Sequence, residues 1–280
     1  MKITAVITAR NDNYGGNLLK RSTICLQNFI SRYDEVIYVD WNSKDKSLLD
    51  EIKSNLIFKG NLLHIKVLKE DILQLNPMLL TIPIVEILGR NIGIRRATSD
   101  FIASTNIDII ANRPNLDTLD NNTMYVVPRR NISVPLSKMD PVKLGNLLIN
   151  NVNSFTPSTD ANDANGNPIH DKDDPWSLVV SCGDYQLAHR NLWYKIKGFE
   201  EEMIYRGCAD SNIMKKGHIY GNTSKLFLEV FHLEHSYNHI NLEDKVTLFN
   251  DKLKFVKNFI ETTNKDTWGF FNYNFNTEIL

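Results

Sequence analysis

Apolar residues recur with two periods along this chain. Short β-rich runs at Lys2 to Ala9, Glu35 to Asp40 and Leu62 to Leu68 each predict a buried strand. Between the first two, Leu18, Leu19, Ile24, Leu26, Phe29 and Ile30 fall at helical spacing, so Leu18 to Ser31 predicts a helix. Ser47 to Leu56 predicts another, and Asn42 and Ser43 mark a turn. From Gly89 a basic helix carrying Arg90, Arg95 and Arg96 runs into an apolar strand that ends on a lone carboxylate, Asp108. Strands alternating with helices predict an α/β fold with a mostly parallel, doubly wound sheet flanked by helices. Ligands of such sheets bind outside the carboxyl ends of the strands. Arg10, Asp40 and Asp108 all fall at such ends.

Beyond Asp108 the pattern loosens. Met124 to Pro128 predicts a strand and Val142 to Asn151 a helix. Asn153 to Asp174 is rich in Ser, Thr, Asn, Asp, Gly and Pro, and reads as a functional loop beside a binding site or as an inert insertion. Ser177 to Ser181 predicts a strand, and Tyr185 to Tyr194 a strand or a helix. Gly198 suits a turn that needs positive φ. Ala209 to Lys216 predicts a helix, Leu226 to Phe231 a last strand, and Leu242 to Phe259 a long amphipathic helix with acids early and lysines late. The chain reads as one domain. Residues 1–110 and 111–240 read as its two halves, and 241–280 as a C-terminal helix and tail.

Composition narrows the class of function. With 280 residues the chain can bury a sizeable core, and its net charge of −1 gives no bulk field for nucleic acid or anionic lipid. Cys25, Cys182 and Cys208 are scattered and odd in number. They suggest no zinc pattern and no disulfide framework, hence a reducing compartment. The run Ile3 to Ala9 is interrupted by threonines and meets Arg10 and Asp12 at once, unlike a signal peptide. No stretch approaches the roughly 18 apolar residues of a membrane span. The expectation is a cytoplasmic protein without membrane insertion; the oligomeric state is not legible.

Several residues carry candidate chemistry. The Arg10 guanidinium, after the first strand, can clamp a diphosphate or pair with an acid. Asp40 can accept from a ligand or cap its own turn. Asp108, with Asn106 two residues before it, offers the oxygen ligands that Mg²⁺ and Mn²⁺ prefer. Asp210 opens a helix and can serve as a base or as a cap. His232 and His235 lie at a strand end, where imidazole suits Mn²⁺ or zinc. Trp176 can stack on a sugar or anchor the loop before it.

In their order along the chain these segments resemble the GT-A glycosyltransferases. Val39-Asp40-Trp41-Asn42-Ser43 resembles their nucleotide corner, and Arg90-Asn91-Ile92-Gly93 the helix before their Asp-x-Asp motif. Asn106-Ile107-Asp108 stands at that motif with the first acid replaced by Asn. Arg206-Gly207-Cys208-Ala209-Asp210-Ser211-Asn212 resembles the catalytic segment of the β-1,4-galactosyltransferase and chondroitin-type families, with Arg206 and Ala209 departing from it. His235-Ser236 resembles their late metal histidine, and Gly183 to Phe199 their acceptor-side strand and turn.

The resemblance implies an inverting, metal-dependent transfer from a UDP-sugar to a hydroxyl of a glycan or glycoprotein. Arg10, Asp40, Arg90, Asn91 and Asp108 would hold the nucleotide. Asp108 and His235, with His232 as the spare, would hold Mn²⁺ or Mg²⁺. Asp210 would be the base, and Asp184 and Trp176 would face the acceptor. The resemblance extends to glycosyltransferases of large DNA viruses, among them one that adds xylose; UDP-xylose and a host cytoplasm follow as expectations. A sugar nucleotidyltransferase is an alternative, although Thr8 to Asp12 lacks its Gly-rich loop and only Gly15-Gly16 lies nearby. A non-catalytic carbohydrate-binding protein is another, supported by Asn106 and Ala209.

Overall fold

The computed structural model describes residues 1–127, 129–132, 183–204, 209–235 and 264–280. In chain order the strands are β1 (Ile3–Ala9), β2 (Glu35–Trp41), β3 (Leu62–Val67), β4 (Phe101–Thr105), β5 (Ile109–Ala111), β6 (Thr123–Val126), β7 (Arg130–Ile132), β8 (Tyr185–His189), β9 (Asn222–Lys225), β10 (Val230–Leu233) and β11 (Asn276–Ile279). The helices are α1 (Leu18–Arg32), α2 (Leu48–Ile52), α3 (Lys69–Leu75), α4 (Glu86–Arg96), α5 (Arg190–Lys195) and α6 (Ala209–Tyr220).

Eight strands make the main sheet, in the order β11-β3-β2-β1-β4-β8-β6-β9. Its centre, β3-β2-β1-β4, is parallel. β8 runs antiparallel to both β4 and β6, and β11 closes the other edge antiparallel to β3. A smaller sheet, β5-β10-β7, stands beside the carboxyl end of β4.

The alternation along the strands divides the core. Ile3, Ala5 and Ile7 of β1 join Leu26, Phe29 and Ile30 of α1 in one cluster. Val6 joins Ile37 and Val39 of β2 and Ile92 of α4 in a second. Burial of both faces explains why these strands read as continuous apolar runs. Helix α4 lies close on the sheet because two of its residues lack a side chain. A Cβ at Gly93 would sit 2.4 Å from Val6 Cγ1, and one at Gly89 2.3 Å from Thr8 Cγ2. This approach sets Glu86 and Arg90 at the mouth of the sheet.

The α/β architecture and the long central elements match the sequence reading to within a residue or two. Other elements differ. The helix expected to reach Leu56 gives way at Lys53–Asn55 to a 3-10 turn. Tyr185 to Tyr194 is neither strand nor helix throughout: the strand ends at His189, whose side chain accepts from Asn191 N–H and starts α5. The strand expected at Leu226 to Phe231 begins at Val230, and β9 precedes it as a polar strand, Asn-Thr-Ser-Lys, without apolar alternation. Helix α6 continues past Lys216 to Tyr220. Asp108 lies in the turn between β4 and β5 rather than on the strand. The expected elements at Val142 to Asn151, Ser177 to Ser181 and Leu242 to Phe259, the segment Asn153 to Asp174 and Trp176 lie outside the described residues. No described helix is long and apolar enough to cross a membrane.

Candidate active site

A cavity of about 360 Å³ opens at the carboxyl end of the parallel strands. Its walls include Arg10, Asp12 and Tyr14 after β1, Glu86 and Arg90 of α4, and Asn106 to Asp108 after β4. Arg129, Gly183, Asp184, Phe199, Asp210, His232 and His235 close the other side. Its size and mixed lining suit a small polar ligand.

Asp108 is the centre of one wall. Its Oδ2 lies 3.1 Å from His235 Nε2, 3.6 Å from His232 Nε2 and 3.3 Å from Arg21 Nη1. Its Oδ1 is buried without a hydrogen-bond partner. Antiparallel pairing of β10 with β5 sets His232 opposite Ile109, which brings the histidine beside the Asp108 turn. His232 Nδ1 lies 3.1 Å from Asn131 Oδ1, and since that oxygen only accepts, Nδ1 carries the proton. That contact leaves Nε2 as the ring nitrogen that faces Asp108. One carboxylate and two imidazoles offer ligand atoms within 4.8 Å of one another. An unpaired carboxylate oxygen and an imidazole fixed by an outer hydrogen bond fit a divalent cation. Burial pushes the Asp108 carboxyl up, but hydrogen bonds from His232 and His235 outweigh it and hold the group well below the usual carboxylate range. The ligand form is thus the resident form.

A chain of polar side chains crosses the floor. Arg90 donates to Glu86 one turn earlier, to Ser104 Oγ at 3.1 Å and to Asn106 Oδ1. Asn106 Nδ2 donates to Asp184 Oδ1 at 2.6 Å, and Arg129 pairs with Asp184 Oδ2. Backbone pairing continues past β4 and β8, with Asn106 N–H and Thr105 Oγ1 both donating to Asp184 O, and so fixes the two residues side by side. Asn106 therefore gives its amide to Arg90 and Asp184 and stands outside the Asp108 cluster.

Asp210 occupies the first turn of α6. It packs on Gly183, where a Cβ would lie 2.3 Å from Asp210 Cβ, and its carbonyl accepts from Gln186 Nε2 at 3.1 Å. Burial pushes its carboxyl above the ordinary value; the Ser211 N–H and the Arg90 charge oppose this without cancelling it.

Two of the expected nucleotide residues do not line the cavity. Asn91 is buried and spends its amide on the turn after α5: Nδ2 donates to Phe199 O at 2.8 Å and to Glu201, and Oδ1 accepts from Phe199 N–H. Its role here is to carry Phe199 beneath the Arg90 guanidinium, 5.5 Å from the ring centre. Asp40 accepts from Ser43 Oγ at 2.8 Å, and Ser43 Oγ in turn accepts from Asn11 N–H. It braces the loop after β1 from behind, where burial raises its carboxyl. Arg10 does reach the wall, donating to Pro83 O. Arg21, Glu86 and Arg129 belong to the site but were not anticipated. Arg21 was detectable as a cation among the buried positions of α1, and Glu86 as the i−4 partner of Arg90; Arg129 has no such signal.

No protein-family model and no curated protein sequence matches the chain. Solved structures do match. Residues 1–349 of S. aureus TarS, in complex with UDP-GlcNAc, superpose with a TM-score of 0.52 and 13% identity, over 96% of this chain and 69% of that one. GalNAc-T7 with UDP, GalNAc and Mn²⁺ gives a TM-score of 0.56 and 14% identity, over 92% of this chain and 50% of that one. Both neighbours are GT-A glycosyltransferases, and at these identities the likeness is one of fold. The chain has the GT-A fold.

Proposed function

We propose that this protein is an inverting glycosyltransferase that moves a sugar from a UDP-sugar to a hydroxyl of a glycan or glycoprotein. The observation that carries the reading is a cluster of one carboxylate and two imidazoles sharing a cavity with a half-buried carboxylate, Asp210, on a separate element. Asp108 and His235, joined by His232, would hold a divalent cation, Mn²⁺ or Mg²⁺. Such an ion supplies charge neutralisation for a diphosphate leaving group. The neighbours' bound UDP, UDP-GlcNAc and Mn²⁺ support this ligand class.

The chain's own residues do the rest. Arg10 and Arg90 add positive charge to the wall that would face the diphosphate. Asp184, held by Asn106 and Arg129, faces the cavity on the acceptor side. Asp210 accepts the proton of the acceptor hydroxyl as its oxygen attacks the anomeric carbon, and the configuration inverts. Asp40 and Asn91 act by bracing the walls rather than by contact. UDP-xylose is the first donor to test.

The test combines binding with turnover. UDP and one UDP-sugar are expected to raise the melting temperature with Mn²⁺ and not with EDTA, because a ligand of the native state alone stabilises it by mass action. Asp210→Asn is expected to keep that shift and lose transfer by at least about a hundredfold, the usual contribution of a positioned base. Transfer surviving in Asp210→Asn would remove Asp210 from the role. A UDP-sugar shift without turnover on any acceptor would favour a carbohydrate-binding protein, and consumption of a sugar 1-phosphate with a nucleoside triphosphate a nucleotidyltransferase.

A further inference from the structure

The far edge of the main sheet holds a second constellation of ligand atoms. Strand β11 pairs antiparallel with β3 so that Glu278 stands opposite His64. Paired residues point to the same face of a sheet, and the gap between His64 Nδ1 and Glu278 Oε2 is 3.9 Å. Asp50, from α2, reaches the same place: one ligand atom from each of Asp50, His64 and Glu278 lies within 4.8 Å of the others. None of the three lines the cavity.

His64 gives this group its meaning. The residue is fully buried, its ring packs beside Tyr38, and neither ring nitrogen has a hydrogen-bond partner. A buried polar group without a partner is costly and rare enough in native proteins to require a cause. The neighbouring lysines do not remove the cost. Lys66 Nζ bonds Asp50 Oδ2 at 2.7 Å, and Lys53 lies 3.4 Å from Asp50 Oδ1 and 4.0 Å from Glu278. Both serve the carboxylates and leave the imidazole unbonded.

We propose that Asp50, His64 and Glu278 form a divalent-cation site, of the imidazole-and-carboxylate chemistry that takes Zn²⁺, which clips the C-terminal strand β11 to β3 and α2. A cation there gives the buried imidazole lone pair a partner and links three elements across the sheet edge. The ammonium groups of Lys53 and Lys66 hold the carboxylates and have to swing aside. Both side chains retain solvent exposure, 44% for Lys53 and 26% for Lys66, so the site is open to exchange. Its affinity is set by competition between lysine and metal.

The test is hydrogen exchange of the β11 amides during a Zn²⁺ titration of the full chain, with free Zn²⁺ buffered. Zn²⁺ is expected to slow exchange at 276–279. Glu278→Gln or Asp50→Asn is expected to raise the required Zn²⁺ concentration by at least about tenfold, as loss of a ligand or its support does. Lys66→Met is expected to lower it. Asp108→Asn leaves the response intact, which separates this site from the cavity and from the activity proposed for it. All of these substitutions spare His64, whose loss from the core would confuse folding with binding. No Zn²⁺-dependent protection of β11, or protection that both carboxylate variants retain, would overturn the proposal and leave an ion-pair network alone.

Discussion

At the scale of single residues, the site rests on carboxylates whose environments differ. Asp108 is buried yet held ionised by two imidazoles. Asp210 is half-buried and lifted above the ordinary value of 3.8 by its loss of solvent, which the Ser211 N–H and the Arg90 charge oppose only in part. One suits a ligand and the other a proton acceptor, as expected when two groups of one kind are pushed apart by their surroundings. The sign of the pH dependence follows for Asp210. It works as a base only when deprotonated, so transfer falls as pH drops through its raised pKa. Once a donor is in hand, the acid limb of kcat/KM is expected above pH 3.8; a limb at or below that value would exclude Asp210 as the base.

Their positions were legible, Asp108 after a buried strand, Asp210 at the start of a helix and the histidines at a strand end, whereas turn-capping, helix-capping and structural roles stayed open for such residues. Asp40 and Asn91 were legible as special but not as to why. A sequence does not show whether an amide faces the ligand or, as with Asn91 and Phe199, the turn behind it. Arg129 comes from a stretch with no pattern and meets Asp184 only through the fold.

At the scale of elements, legibility follows length and burial. β1, β2, β3 and α1 are long enough for their period to show. Strands β5 and β7, of three residues each, and β9 and β11, of four each, carry no apolar alternation and exist because partner strands supply their hydrogen bonds. Helix α3 buries only Ile72 and gives almost no stripe. Helix α4 is the opposite case: its place depends on two glycines. At Gly93 a Cβ would meet Val6 at 2.4 Å and then Ile37 and Val39 at 3.5 Å, all buried side chains of the central strands. Gly93→Val is therefore expected to push α4 off the sheet and cost about 1–3 kcal/mol of stability by overpacking. Because α4 carries Glu86 and Arg90, the same variant is expected to weaken UDP binding with Mn²⁺ more than urea denaturation alone predicts. Unchanged stability would mean that the helix approach is not limited by this contact.

For the whole molecule, the cost of burying a histidine appears as a dependence of folding on pH. His64 sits in the core with neither nitrogen bonded. Burial first, and then the nearby charge of Lys66, lower its pKa from 6.5 to about 4, against a smaller opposing pull from Asp50. Below pH 6.5 the unfolded chain takes up this proton while the folded chain, until about pH 4, does not. The unfolded state then binds more protons, so stability falls as the pH is lowered through this window and this contribution levels off below it. The gap of about two and a half pK units corresponds to about 3 kcal/mol, a large part of the roughly 5–15 kcal/mol that holds a typical domain together. Carboxylates held below their ordinary values, such as Asp34 and Asp50, add a loss in the same direction that begins nearer their unfolded pKa. A comparison isolates the histidine. Urea unfolding in EDTA, so that no cation occupies the sheet edge, is measured from pH 7 to pH 4 for the native chain and for His64→Leu. The native chain is expected to lose stability from about pH 6.5 and the variant only from about pH 5. Parallel curves would show that His64 gains its proton in the folded protein as easily as in the unfolded one, and that water reaches a ring the structure places in the core.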